Sequence, residues 1–251
     1  MANDLHPGKK IYPAHGDPIR IVPLHVPDSV RQPTAEAAAA GPTPAPQLTF
    51  RNGPLITAVE VFTIFWGPAW QAAQSAIATQ INQFFDFILT SSLIDQLGEY
   101  SVPGHQISQG KRTGTLTITT PRLRHSVSDR GIQHMLQLYF VYVQPGVRIV
   151  QGGGASCQAF CGYHNDMSSQ IFYAAMPYPG CGGCTGGLSV FDALTSTSSH
   201  ELCEAITDPI PGLGWYDDAN GEIGDICAWK TKKIGQYTVQ LEWSNQANQC
   251  V

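Results

Sequence analysis

The sequence predicts an α+β fold, with a single domain in which a mixed β-sheet packs on helices and a long helix with polar residues follows late in the chain. Strand-like and helix-like apolar segments alternate along the sequence, as in domains that combine both element types. The 251 residues are 43% hydrophobic and only 13% charged, so they suffice for one sizeable core. All seven cysteines lie from Cys157 onward, so we expect the C-terminal third to be cross-linked.

The first elements follow from apolar periodicity. Residues 55–66 are rich in β-branched and aromatic side chains and predict a buried strand that ends at Gly67-Pro68. Residues 70–97 have helical spacing, and a further strand is predicted at 113–119. The apolar side of the predicted helix consists of Ile77, Ile81, Phe84, Phe85, Ile88 and Leu89.

The later elements include the predicted functional helix. A helix is predicted at 129–137, one or two strands within 138–150, and a strand at 171–176. Residues 188–206 then predict a helix, which ends before Pro209 because proline cannot continue a helix.

This last helix carries the pattern His200-Glu201-x-x-Glu204. Residues four apart on a helix lie about 40° apart around its axis, so His200 and Glu204 can converge on one ion. Glu201 lies about 100° further round and can point to a water on that ion. The geometry is that of the His-Glu-x-x-His zinc signature, with a carboxylate in place of the second imidazole. The alternative is an amphipathic helix whose acidic residues face solvent.

A dense group of carboxylates follows the helix and strengthens the metal interpretation, because like charges repel unless a cation or protons offset them. The group consists of Asp208, Asp217, Asp218, Glu222 and Asp225. An EF-hand calcium loop is excluded, since Gly221 at its glycine position puts Cys227 where a bidentate Glu belongs. We predict Zn²⁺ as the cofactor, with Ca²⁺ as the alternative for an additional structural ion.

Two segments together resemble a known family. The chain resembles bacterial and fungal extracellular proteins related to the plant Exordium, or phosphate-induced, proteins over about residues 59–251, and the matching motifs lie within 157–229. The segments are His200-Glu201-Leu-Cys-Glu204-Ala-Ile-Thr207-Asp208-Pro209 with Gly221-Glu222-Ile223-Gly224-Asp225, and Cys157-Gln-Ala-Phe-Cys161-Gly162-Tyr163-His164. The helix position is also similar to that in zincin-like domains, so a zincin-like architecture is expected by analogy.

The predicted metal ligands are His200, Glu204 and one carboxylate of Glu222 or Asp225, which the sequence does not separate. Two carboxylates cancel the charge of Zn²⁺, so its water is less acidified and Glu201 is needed as the general base.

Two further residues are predicted to be catalytic. His164 is predicted to stabilise the oxyanion or to act as a distant ligand, and Tyr216 to be an oxyanion donor. The alternatives are a structural histidine beside the cysteines and a tyrosine that packs in the cleft wall.

The cysteines favour disulfides and therefore an oxidising, extracellular compartment. The spacing Cys157-x3-Cys161 with Cys181-x2-Cys184 also approximates a four-thiolate zinc site. The odd number leaves one cysteine without an intrachain partner, and we predict that this is Cys203.

Residues 1–47 are predicted to be a flexible arm rich in Pro and Ala, and residues 48–251 the catalytic domain. The alternative is a propeptide over the active cleft, in which His15 or His25 could cap the metal. The sequence contains no recognisable signal peptide.

The charge pattern limits the partners. The net charge is -5 and basic residues are scattered, so no nucleic acid partner is expected. No apolar stretch reaches the roughly 20 residues that cross a membrane, so no membrane partner is expected. The protein is expected to be a monomer.

The leading hypothesis is a metal-dependent endopeptidase that acts on polypeptides. The alternatives are a non-catalytic extracellular signalling or binding protein with a structural metal, and a cysteine hydrolase that uses Cys157 with His164.

Overall fold

The structure is a computed structural model that describes residues 21–26, 44–120 and 137–251. Its strands are β1 (Val22–Pro23), β2 (Thr49–Phe50), β3 (Ala58–Trp66), β4 (Ser108–Ile118), β5 (Gln137–Val143), β6 (Val150–Gln151), β7 (Gly154–Ala155), β8 (Phe160–Met167), β9 (Ile171–Met176), β10 (Trp215–Tyr216), β11 (Thr231–Ile234), β12 (Tyr237–Gln240), β13 (Trp243–Ser244) and β14 (Gln249–Cys250). Its α-helices are α1 (Ser75–Ile88), α2 (Ser92–Gln96), α3 (Gly182–Thr185) and α4 (Val190–Thr207). Short 3₁₀ helices span Pro68–Gln71, Leu97–Tyr100 and Asp225–Cys227.

A six-stranded sheet in the order β1-β8-β9-β5-β3-β4 forms the centre of the fold. Strands β9, β5, β3 and β4 are parallel to one another, whereas β8 is antiparallel to β9 and β1 is antiparallel to β8. The predicted α+β class and mixed sheet are therefore confirmed.

The core lies between this sheet and the helices. Along β3, alternate side chains are buried, and Val59, Val61 and Phe65 are at most 1% exposed. The apolar side of α1 packs here through Ile81 and Phe85, which are similarly buried. This is the side that helical periodicity predicted.

Several predicted boundaries differ in the structure. The single helix expected at 70–97 is divided, and Ser91 begins α2 by accepting a hydrogen bond from the Leu93 amide. Strand β4 starts at Ser108 rather than at 113. Its first half was not predicted because it is polar and gives no apolar signal; Lys111 and Arg112 there form ion pairs with acidic residues. The helix predicted at 129–137 lies outside the described residues, apart from Gln137, which begins β5.

Helix α4 is buried along almost its whole length. Ser189 begins the helix by accepting a hydrogen bond from the Asp192 amide, and the helix runs to Thr207, close to the predicted 188–206. It packs against β8 and β9 on the sheet, against β12 on another side, and also against β1. Polar residues therefore lie in the core, where they are expected only if they are paired or functional.

Three disulfides cross-link the later part of the chain: Cys157–Cys181, Cys161–Cys184 and Cys227–Cys250. The first two of these disulfides use all four cysteines of the alternative zinc site, and a sulfur in a disulfide is not a thiolate ligand. The structure therefore favours disulfides over that zinc site. Cys203 is the free and buried cysteine, as predicted. Within the described residues, no helix is long and apolar enough to cross a membrane.

Candidate metal centre on the buried helix

Helix α4 brings His200 and Glu204 side by side. One turn of helix separates them, and His200 Nε2 lies 2.9 Å from Glu204 Oε1. Both side chains are 0% exposed. Among the described residues, Nε2 of His200 has no hydrogen-bond partner, so this close approach is not a hydrogen bond. Two atoms that face a common point are expected when both can bind one ion.

Asp225 completes this group from a separate element. Its amide donates to Glu204 Oε1 over 3.1 Å, which fixes the 3₁₀ turn Asp225–Cys227 against α4. Ligand atoms of His200, Glu204 and Asp225 all lie within 4.8 Å of one another. Asp225 is partly exposed, unlike the other two.

Gly224 allows the turn to approach the helix this closely. A Cβ atom at this position would lie 2.8 Å from His200 Nδ1 and 3.0 Å from Glu204 Oε1. Real Cβ contacts are almost never shorter than 3.0 Å, so any larger residue would displace the two candidate ligands.

Gln240 holds the His200 ring from the other side. Its amide nitrogen lies 2.8 Å from His200 Nδ1 and donates to the Gly224 carbonyl over 2.9 Å. An amide nitrogen only donates, so Nδ1 accepts here and the ring proton of a neutral His200 is on Nε2.

His164 lies on β8 and faces the acidic residues of α4. Its Nδ1 is 3.3 Å from Glu201 Oε2 and 3.3 Å from Glu204 Oε2, and its Nε2 is 3.2 Å from the Asp208 carbonyl. Both ring nitrogens therefore face acceptors, which requires the imidazolium form. Burial by itself lowers the pKa of His164, but Glu201 and Glu204 outweigh it and raise the pKa to about 9.

The two histidines and the carboxylates shift one another's pKa values. Burial raises the pKa of Glu201, although the contact with His164 opposes this. Burial also acts to raise the pKa of Glu204, but His200 and His164 outweigh it and lower the pKa to about 2. Glu204 is therefore a carboxylate that is fully ionised inside the protein, where charge must be paired.

Glu222 and Asp225, the two candidates for the third ligand, occupy different places. Glu222 is buried on the His164 side, with Oε1 3.6 Å from His164 Nε2. Its amide donates to Asp225 Oδ2 over 3.2 Å. Asp225 is the one that the structure groups with His200 and Glu204.

Other acids of the predicted group hold loops. Asp208 accepts hydrogen bonds from the amides of residues 212–214, and so forms the turn after α4. Asp217 accepts from the amides of Gln47, Ala219 and Asn220. Asp218 is exposed and pairs with Arg51.

Tyr216 lies on β10, which pairs with β2, and the Arg51 guanidinium is 4.7 Å from the centre of its ring. His25 contacts the ring of Trp229, and its amide donates to the Gly183 carbonyl. The oxyanion role of Tyr216 and the capping role of His25 stay predictions.

Buried oxygens without donors support a cation. Among the described residues, Glu201 Oε1 has no hydrogen-bond partner, and Glu204 Oε2 has only the ion-pair contact with His164 Nδ1 at 3.3 Å, although both glutamates are 0% exposed. Leaving such an oxygen unpaired costs about 1–3 kcal/mol, more for a charged group. The donor set of one imidazole and two carboxylates fits Zn²⁺.

Sequence reasoning did not identify three residues that shape this site: Gln240, Gly224 and Gly162. Gly162, on β8, would place a Cβ atom 2.8 Å from Thr197 Cγ2 and 3.0 Å from Glu201 Oε1. It therefore lets β8 approach α4. Gly162 and Gly224 stand inside the two motifs and gave a local signal, whereas Gln240 gave none.

Comparisons with known proteins give no family. No protein-family model and no curated protein matches the chain. One solved structure, described as "Structure of a chaperone-substrate complex", is similar at 14% identity with a TM-score of 0.30. The match covers 59% of this chain, which spans only 23% of the length of that chain. A likeness this weak assigns neither fold nor function, so the function has to be argued from the site.

Proposed function

We propose that this chain is a zinc-dependent endopeptidase with a zincin-like catalytic domain, in which His200, Glu204 and Asp225 hold the metal and Glu201 is the general base. The observation that carries the proposal is the convergence of these three ligand atoms within 4.8 Å, next to a buried glutamate on the same helix. The three disulfides favour an extracellular protein.

The side chains around the metal have separate tasks in this proposal. A bound zinc ion supplies Lewis acidity toward a peptide carbonyl and its attacking water. Glu201 takes the proton from that water and returns it to the leaving amine. His164 lies against Glu201 Oε2, so its positive charge opposes the rise in the Glu201 pKa that burial causes, and it orients the carboxylate. This is a positioning role, and it does not require His164 to touch the substrate.

The first test is metal analysis of the purified protein before and after chelation, together with casein digestion. We expect about one zinc ion per chain and digestion that chelation removes and zinc restores.

The decisive variant is Glu201→Gln, with Asp218→Asn as an exposed control. A neutral amide cannot accept the proton, so casein digestion should fall by a factor of about 10² to 10⁴ while zinc remains bound. Asp218→Asn should keep full activity, because its side chain is 87% exposed. A Glu201→Gln protein that digests casein as fast as the wild type contradicts the peptidase proposal.

A second candidate function is a non-catalytic extracellular binding protein with a structural metal, related to Exordium-like proteins. Burial favours it, since His200, Glu201 and Glu204 are all 0% exposed and a substrate cannot reach them without some movement. Zinc that is bound stoichiometrically, with no digestion by any variant, would support this candidate instead.

A further inference from the structure

A short strand from the N-terminal part of the chain occupies the outer edge of β8. Strand β1 pairs antiparallel with β8, and Val22 faces Gly162 while Pro23 faces Phe160. Strand β8 also carries His164, and β8 is the last strand of the sheet before β1. Without β1, the edge of β8 would present unpaired backbone groups, which readily accept another extended chain.

Three contacts hold this segment in place. Val22 is 2% exposed and packs with Cys161 and Cys184. The Trp229 indole donates to the Pro23 carbonyl over 2.8 Å, and the His25 amide donates to the Gly183 carbonyl over 2.7 Å. Residues 21–26 therefore lie between β8, α3 and Trp229.

The same edge lies next to the proposed general base. Gly162, the β8 partner of Val22, lies against α4, and a Cβ atom there would be 3.0 Å from Glu201 Oε1. Helix α4 also packs directly against β1. Neighbouring strands are about 4.8 Å apart, so a chain in the β1 position runs one strand away from the strand that touches Glu201.

We propose that the outer edge of β8 is the binding site for an extended polypeptide, and that residues 21–26 occupy it as an internal inhibitor. The inference rests on the proposed function in taking that polypeptide as the substrate. It also accounts for a site whose general base is completely buried, because displacement of β1 removes one wall beside α4. Strand addition of this kind derives affinity from main-chain hydrogen bonds and specificity from alternate side chains.

The internal strand is suited to displacement. It is two residues long, its register shifts between Val22 and Pro23, and proline has no amide to donate. In the described part of the chain, β1 pairs with Gly162 and Phe160 alone, although β8 continues to Met167. A longer peptide could therefore form more pairs with this edge than residues 21–26 do.

The test uses the full chain with Val22→Asp, which puts a carboxylate into an apolar pocket. The matched control is Val150→Asp, since Val150 is 71% exposed. Hydrogen–deuterium exchange is measured in the presence of chelator. Loss of the buried Val22 contact should speed exchange of the amides at 160–162 by about 10 to 100 times, whereas the control should leave it unchanged.

A second measurement detects the vacated edge directly. The probe is a fluorescent peptide with the sequence of residues 20–27, followed by anisotropy. It should bind Val22→Asp much more tightly than the wild type or Val150→Asp, because in those two chains a tethered strand competes at an effective concentration of about millimolar. The same peptide with its own Val→Asp change should not bind.

A milder variant tests the proposal if Val22→Asp fails to fold. Trp229→Phe keeps an aromatic ring but removes the donor to Pro23, and it should speed exchange at 160–162 in the same direction by a smaller factor. Unchanged exchange in both variants, with no peptide bound, overturns the proposal.

These readouts need neither metal nor cleavage, so the two proposals fail separately. Peptide binding to Val22→Asp without digestion of casein by any zinc-loaded variant refutes the peptidase alone. Equal digestion by wild type and Val22→Asp, with no opening of the edge, refutes the internal inhibitor alone.

Discussion

At the scale of single residues, the roles of the acidic side chains follow from the groups around them. Asp208 accepts from three backbone amides and so completes a turn. Asp225 instead lies beside His200 and the ionised Glu204, where few donors reach the carboxylate oxygens of α4. Backbone amides therefore satisfy the Asp208 carboxylate, whereas a cation is expected beside His200, Glu204 and Asp225.

The closeness of Gly224 to both α4 ligands gives a prediction at this scale. Gly224→Ala should weaken zinc binding by about tenfold or more, because the new methyl group displaces His200 and Glu204 from their places. The measurement is competition with a chromophoric chelator. Gly98→Ala is the control, since a Cβ atom there meets nothing within 4 Å. Equal affinities in the two variants would show that the ligands lie elsewhere.

At the scale of elements, two disulfides fix the start of β8 to the region of α3. Cys157–Cys181 and Cys161–Cys184 each span about the same stretch, with sequence separations of 24 and 23. They form the pocket for Val22 as well, since Cys161 and Cys184 pack against it. The cross-links thus hold both the strand that carries His164 and the segment that covers its edge.

Removal of one disulfide should lower the free energy of unfolding. Cys161→Ala/Cys184→Ala should lower the free energy of unfolding by about 3 kcal/mol, because the unfolded chain gains the freedom of a closed loop. Cys203→Ala, which breaks no disulfide, should lower it by about 1 kcal/mol. Denaturant unfolding under non-reducing conditions gives both values. A double variant as stable as Cys203→Ala would contradict this disulfide.

At the scale of the whole molecule, the buried charges make folding stability depend on pH. Folding raises the pKa of His164 from 6.5 to about 9, so its contribution is complete below pH 6.5 and is lost as pH rises through 9. Folding lowers the pKa of Glu204 from 4.5 to about 2, so its contribution is present above pH 4.5 and is lost as pH falls through 2.

The metal-free protein should therefore lose stability on the order of a few kcal/mol as pH rises from 6.5 towards 9. Denaturant unfolding in chelator across this range is the measurement. His164→Gln should flatten the alkaline loss, and added zinc should oppose it, because metal binding is favoured once the ligands lose their protons. A stability that rises steadily from pH 6.5 to 9 without metal would contradict the assigned imidazolium.

Local sequence signals predicted the elements that have strong periodicity. Residues 171–176 coincide with β9, and residues 188–206 nearly coincide with α4. Strand β8 was not predicted, because its Cys-Gly-Tyr-His-Asn-Asp run lacks a strand-like alternation. Its strand character comes from pairing with β9 and β1, which is information that lies elsewhere in the chain.

Local sequence patterns are enough to predict the α+β class, the late polar helix and the placement of His200, Glu201 and Glu204 on it, since helical geometry is local. The sequence also singled out Cys203 as the odd cysteine, as the structure has it. The folded chain was needed to show that Asp225 rather than Glu222 approaches His200, that His164 faces Glu201, and that residues 21–26 cover β8. These are contacts between distant parts of the chain. They form because charges and backbone groups that the folded core buries must be paired, and local sequence patterns do not specify which partners they meet.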